Sequence, residues 1–131
     1  MNRASTKPAV LVVDDEELIR DLVEETLRDA GYDVVTAATD AEALRHLESH
    51  EGFVGLVTDV NLGSSSTGWD IARRAREIGP AIAVIYMTGD SAHEWSAQGV
   101  PQSTVVTKPF ATSQIAVAIA NILNTTDERG A

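Results

Sequence analysis

Three aspartates, a threonine and a lysine sit at the ends of separate apolar runs in this 131-residue chain. Asp14 and Asp15 follow Val13, Asp59 follows Thr58, Thr88 follows Met87, and Lys108 precedes Pro109 just past Val106. If the runs are parallel strands of one sheet, these side chains converge on one edge. Carboxylates a few ångströms apart raise one another's pKa unless a cation is present, so a fold that gathers them is built to bind one. All-oxygen ligation with room for water and phosphate oxygens is the preference of magnesium. Calcium fits less well, because no loop spaces carboxylates for its higher coordination. With the negative charge screened, one carboxylate can attack phosphorus and become an acyl phosphate. Asp59 is the candidate nucleophile. Lys108 then offers an ammonium to the phosphoryl oxygens, Thr88 a hydroxyl, and Gly89 a backbone that can approach closely.

Each residue alone has a plainer reading. Asp14 and Asp15 suit a helix N-cap and first turn, and Asp59 a cap or turn. Thr88-Gly89 suits a strand end with a turn, and Lys108-Pro109 an ordinary turn. The agreement of all of them carries the chemical reading.

The elements that must position them alternate regularly. Ala9–Val13 is a continuous apolar run of the kind covered on both faces of a parallel sheet. From Glu16, the positions Leu18, Ile19, Leu22, Val23, Thr26 and Leu27 recur at helical spacing, and Gly31 stops the helix. The pattern repeats as a strand over Asp33–Ala37, a helix over Asp40–Ser49 capped by Asp40, and a strand over Val54–Thr58. After a Ser/Thr loop it predicts a helix over Trp69–Glu77, a strand over Ala81–Met87, a weakly patterned helix over Ser91–Gln98, a strand over Val100–Val106, and a helix over Ala111–Leu123. Five strands alternating with five helices imply right-handed crossovers: an α/β fold with a doubly wound, five-stranded parallel sheet in a three-layer α/β/α sandwich. Such sheets bind ligands outside the carboxyl ends of their strands.

Bulk composition narrows the function. Twenty acidic residues against ten basic give a formal net charge of -10, which argues against direct binding to nucleic acid or to an anionic membrane. There are no cysteines, which fits a cytoplasmic protein and limits metal ligation to oxygen or imidazole. The apolar run after the leader is too short for a signal peptide or a membrane span. The expected organisation is a flexible leader over 1–7, one domain over 8–123 and a flexible polar tail over 124–131. The initiating Met1 and short tails suggest an independent protein rather than a piece of a hybrid kinase.

The residues Asp14, Asp15, Asp59, Thr88 and Lys108-Pro109 resemble the receiver domains of two-component response regulators, a bacterial family with a flavodoxin-like (βα)5 fold, from about Pro8 to Leu123. The resemblance implies that Asp59 is the phosphoacceptor, that Asp15 and Asp59 ligate Mg2+ directly, that Asp14 does so through water, and that Asn61 gives a backbone carbonyl. Thr88 and Lys108 match the family's switch hydroxyl and lysine. A histidine kinase or phosphotransfer protein would donate the phosphoryl group, and a downstream protein partner would read the resulting shift at the fourth helix, fifth strand and fifth helix. No separate substrate would be turned over.

The sequence departs from that family at several places. Val105 stands where an aromatic residue is usual, and valine cannot swing a large surface between two positions. The loop after Asp59 is about one residue longer than the common form, with Gly63 where proline is frequent. Asp90 could orient a water or cap the next helix. Trp69 and Trp95 are expected to pack partly against the surface, and His46, His50 and His93 to be solvated. Two other readings compete: a degenerate receiver that binds partners without phosphorylation, and a Mg-dependent phosphohydrolase with an aspartyl-phosphate intermediate. The complete acidic set, Thr88 and Lys108 oppose the first. Asn61, where such a hydrolase places a second aspartate, opposes the second.

Overall fold

The computed structural model describes residues 7–50 and 52–130, so the leader expected over 1–7 lies outside the described residues except for Lys7. The elements are β1 (Ala9–Val13), α1 (Glu17–Asp29), β2 (Asp33–Ala37), α2 (Asp40–Ser49), β3 (Phe53–Asp59), α3 (Gly68–Ile78), β4 (Ala83–Thr88), a 3-10 turn (Ala92–Glu94) running into α4 (Trp95–Gln98), β5 (Ser103–Thr107) and α5 (Thr112–Gly130). All strand pairs are parallel, in the order β2-β1-β3-β4-β5. The chain winds outward from β1 to β2 and then returns past β1 to build the other half, so the order reverses between β1 and β3. In sheets of this kind, ligands bind at the carboxyl edge at such a switch point.

Alternation along the strands divides the apolar residues between two cores. Leu11, Val13, Leu56, Val84 and Tyr86 face α2 and α3, packing on Ala43, Leu47, Ile71 and Ala72. Val10, Val12, Val57, Ile85 and Met87 face α1 and α5, packing on Val23, Leu27, Ile115 and Ile119. Burial on both faces explains why β1, β3 and β4 read as unbroken apolar runs. The strand register carries the site: Val13 pairs with Thr58, Asp59 with Met87, and Thr88 with Thr107. The residues just past Val13 and Thr107 therefore lie beside Asp59 and Thr88.

Several boundaries differ from the sequence pattern. Thr39, not Asp40, caps α2, its hydroxyl accepting the Glu42 N–H at 3.1 Å. Helix α3 begins at Gly68 because Thr67 and Asp70 form a reciprocal capping box. The stretch over 91–98 splits into a 3-10 turn and one α turn, with no buried residue in either. Strand β5 starts at Ser103 rather than Val100, because side chains hold the preceding backbone: the Val100 N–H donates to the Tyr86 hydroxyl, and Arg76 donates to the carbonyls of Pro101 and Gln102. The tail expected from Asn124 is helical through Gly130.

Candidate functional site

The carboxyl edge gathers the acids around one ammonium. Asp14 is fully buried, Asp59 is 6% exposed, and Asp15 is exposed. One carboxylate oxygen from each lies within 4.8 Å of the others. Lys108 Nζ donates to Asp59 Oδ2 at 3.3 Å, to Asp14 Oδ2 at 3.4 Å and to Glu16 Oε1 at 3.1 Å. Backbone geometry fixes these positions. The Asp14 N–H donates to the Ala37 carbonyl on β2, the Val60 N–H to the Met87 carbonyl, and the Lys108 N–H to the Thr88 carbonyl. The Lys108–Pro109 peptide is cis. Asp14 is also an anchor for the start of α1: its Oδ1 accepts the Glu16 N–H at 2.8 Å, and its carbonyl accepts from Arg20.

The electrostatics follow from burial and crowding. Burial, with the Asp14 charge added, lifts the Asp59 carboxyl to about 6, against the pull of Lys108 and the Asn61 N–H. Burial likewise raises Asp14. Burial works against the Lys108 charge, but Asp59, Glu16 and Asp14 outweigh it and raise its pKa. One ammonium does not neutralise three clustered carboxylates. The hard-oxygen donor set and its residual negative charge fit Mg2+.

Thr88 is 1% exposed, and its hydroxyl oxygen accepts the Ser91 N–H at 3.0 Å. Asn61 directs its N–H to Asp59 Oδ1 at 3.4 Å, while its side-chain amide donates to Ser91 Oγ and to Asp90 Oδ1. Asp90 is therefore a partner of Asn61, and the 3-10 turn after it has no side-chain cap. A Cβ added at Gly89 would meet nothing within 4 Å, so neighbouring protein atoms give no steric reason for glycine there. Gly68 is different. A Cβ there would collide with the Asp59 carbonyl and come within 2.9 Å of Val60 Cα, which lets α3 begin against the backbone of Asp59. The histidines stay out of the acid cluster; His50 stacks on Phe53.

Residue types at strand ends did not reveal Glu16, Arg20, Ser91 or Gly68 as neighbours of the site. Glu16 was foreshadowed only by its place beside Asp15, and Ser91 by its place three residues past Thr88. Trp69, expected to pack only partly against the surface, is 4% exposed, with its ring centroid 4.5 Å from that of Tyr86.

A family model described as the response regulator receiver domain matches residues 10–120. The crystal structure of a response regulator receiver protein from Sinorhizobium medicae superposes with a TM-score of 0.88 at 36% identity, covering 92% of this chain and 98% of that one. The chemotaxis response regulator CheY4 of Vibrio cholerae superposes with a TM-score of 0.77 at 29% identity, covering 89% of this chain and 99% of its own. The probable transcriptional regulatory protein TcrX of Mycobacterium tuberculosis is 31% identical over 129 residues, 96% of this chain but 54% of TcrX. This chain thus spans about half the length of that curated relative.

Proposed function

The chain belongs to the response regulator receiver domain family, and from that premise we propose that Asp59 is its phosphoacceptor, charged by a histidine kinase or phosphotransfer protein. The observation that carries this is the nearly buried Asp59 carboxylate, held by Lys108 and crowded by Asp14 and Asp15 at the carboxyl edge of β3. Asp14, Asp15 and Asp59, with the Asn61 carbonyl, would hold Mg2+, which supplies charge neutralisation for a phosphoryl group approaching a carboxylate. An Asp59 oxygen attacks the donor phosphorus, an O–P bond forms, and the P–N bond of the donor phosphohistidine breaks with its electron pair returning to the imidazole. Lys108, already on Asp59 Oδ2, follows the developing negative charge onto the phosphoryl oxygens. Thr88 supplies a hydroxyl donor from the neighbouring strand end.

The product is a signal rather than a released metabolite: a dianion at the sheet edge that biases partner binding to a downstream protein. The Asn61 side chain, occupied by Asp90 and Ser91 and lacking a proton to exchange, is no substitute for the acid/base of an aspartyl-phosphate hydrolase. No helix among the described residues is long and apolar enough to cross a membrane, and a cytoplasmic location is part of this reading. The test is intact mass after incubation with Mg2+ and acetyl phosphate. A single hydroxylamine-labile phosphoryl adduct is expected in the wild type and none in Asp59→Asn. Equal labelling of the two proteins would overturn the assignment.

A further inference from the structure

Outside the acid cluster, a short chain of hydrogen bonds joins the loop that leaves Asp59 to the loop that leaves Thr88. The Asn61 side-chain amide spends one hydrogen on Ser91 Oγ at 3.1 Å and the other on Asp90 Oδ1 at 3.3 Å. The Ser91 N–H, in turn, donates to Thr88 Oγ1 at 3.0 Å. Ser91 is therefore bonded to both sides of the site, to Asn61 through its hydroxyl and to Thr88 through its backbone. A threonine hydroxyl has one hydrogen to give and two lone pairs to fill. With a lone pair of Thr88 taken by Ser91, the rotor is biased to offer its hydrogen elsewhere. Asn61 stands two residues from Asp59 and keeps its own N–H on Asp59 Oδ1. A tie from Asn61 to Ser91 therefore draws the two loops together over the carboxylate.

We infer that Ser91 is a positioning residue for phosphoryl chemistry at Asp59, clasping Asn61 across the mouth of the site while orienting the Thr88 hydroxyl. This rests on Asp59 being the phosphoacceptor. The clasp has to part for a donor to enter. Once closed, it slows water from reaching the acyl phosphate. In that hydrolysis a water oxygen attacks phosphorus, the bond from phosphorus to the Asp59 oxygen breaks, and carboxylate, inorganic phosphate and a proton are released. The Asn61 amide and its two partners are at or near the surface, so the tie is an ordinary neutral or singly charged hydrogen bond. Its loss changes rates by roughly two- to tenfold.

The experiment follows phosphoryl gain and loss by intact mass in the full chain, with acetyl phosphate and Mg2+ and then after donor removal. Ser91→Ala and Ser91→Gly, which both delete the hydroxyl and keep the N–H, are expected to gain and lose the group two- to tenfold faster than wild type. Ser91→Thr keeps a hydroxyl and is expected to restore wild-type rates. Melting temperature and Mg2+ affinity should be the same in all four proteins, which a purely structural serine would not give. Unchanged lifetimes in the Ala and Gly variants, or the same acceleration in Ser91→Thr, would overturn the role of Ser91 while leaving the phosphoacceptor reading standing. A wild type that takes up no phosphoryl group would instead overturn that reading, and this one with it.

Discussion

Strands β3 and β4 leave the sheet side by side, yet the segments that follow them are held very differently. After β3, the chain enters α3 through a capping box, a Gly68 N–H bonded to the Val60 carbonyl at 2.8 Å, and five buried residues from Gly68 to Ala75. After β4, it enters a 3-10 turn without a side-chain cap and one turn of α4, neither with a buried residue. What holds this second segment comes from elsewhere. Trp95 Nε1 donates to Ser103 Oγ, Arg73 to the Gln98 carbonyl, and the Val100 N–H to the Tyr86 hydroxyl. Asp59 thus has a rigid mount, while the hydroxyl of Thr88 sits at the root of a lightly packed arm. Segments with few buried apolar contacts open at lower free energy than the core. A charge placed on Asp59 will therefore act first on the arm after β4.

The strongest way to break this contrast is a pair of glycine substitutions. Gly68→Ala drives a methyl into the Asp59 carbonyl and is expected to cost about 3 kcal/mol in denaturant melts, whereas Gly89→Ala should stay within about 0.5 kcal/mol. Equal costs would mean that the two loops are equally tight. Next comes Tyr86→Phe, which leaves the buried Val100 N–H without its partner. It should lose about 2 kcal/mol and speed amide exchange over residues 95–102 more than over α3.

An effect of opposite sign is expected at the mount itself. Burial and the Asp14 charge push the Asp59 carboxyl up to about 6 in the fold, against ~3.9 in an unfolded chain. Between those values the folded protein keeps a proton that the unfolded chain has released, so stability falls as pH rises through this window. Asp59→Asn has no such titration. Without Mg2+ it should be more stable than wild type by up to about 3 kcal/mol at pH 7, with the two curves meeting below about pH 4 and Mg2+ narrowing the gap. A parallel pair of curves would deny that burial and Asp14 destabilise the charged form.

The smallest effects compare the two helix starts. Thr67→Ala removes the α3 cap and should cost about 1 kcal/mol, while His93→Ala, at an exposed position of the uncapped 3-10 turn, should change thermal stability by less than about 0.5 kcal/mol.

The strand ends were legible because their signal is local. A run such as Val10–Val13, buried on both faces, stops where the sheet stops, and the acid after it must lie at the edge. The arm after β4 was hard to read for the opposite reason. Ser91–Gln98 has no apolar stripe to fix its length, so tertiary bonds from Arg73, Trp95 and Tyr86 decide it. Val105 shows the same limit. The sequence presents it as a missing aromatic. In the fold, its register partner on β4 is Tyr86, whose ring lies against Trp69 and whose hydroxyl reaches Val100.

The sequence by itself determined the alternation of elements, the acidic set and its meeting point, because apolar periodicity sets which residues are buried and parallel register sets which strand ends coincide. Only the tertiary structure decided the protonation balance at Asp59, the start of β5, the place of Glu16 beside Lys108, and the bridge from Asn61 through Ser91 to Thr88. Each of those depends on distances between loops far apart in the chain, and a loop's path is fixed by the particular donors and acceptors that surround it rather than by any repeat in its own residues.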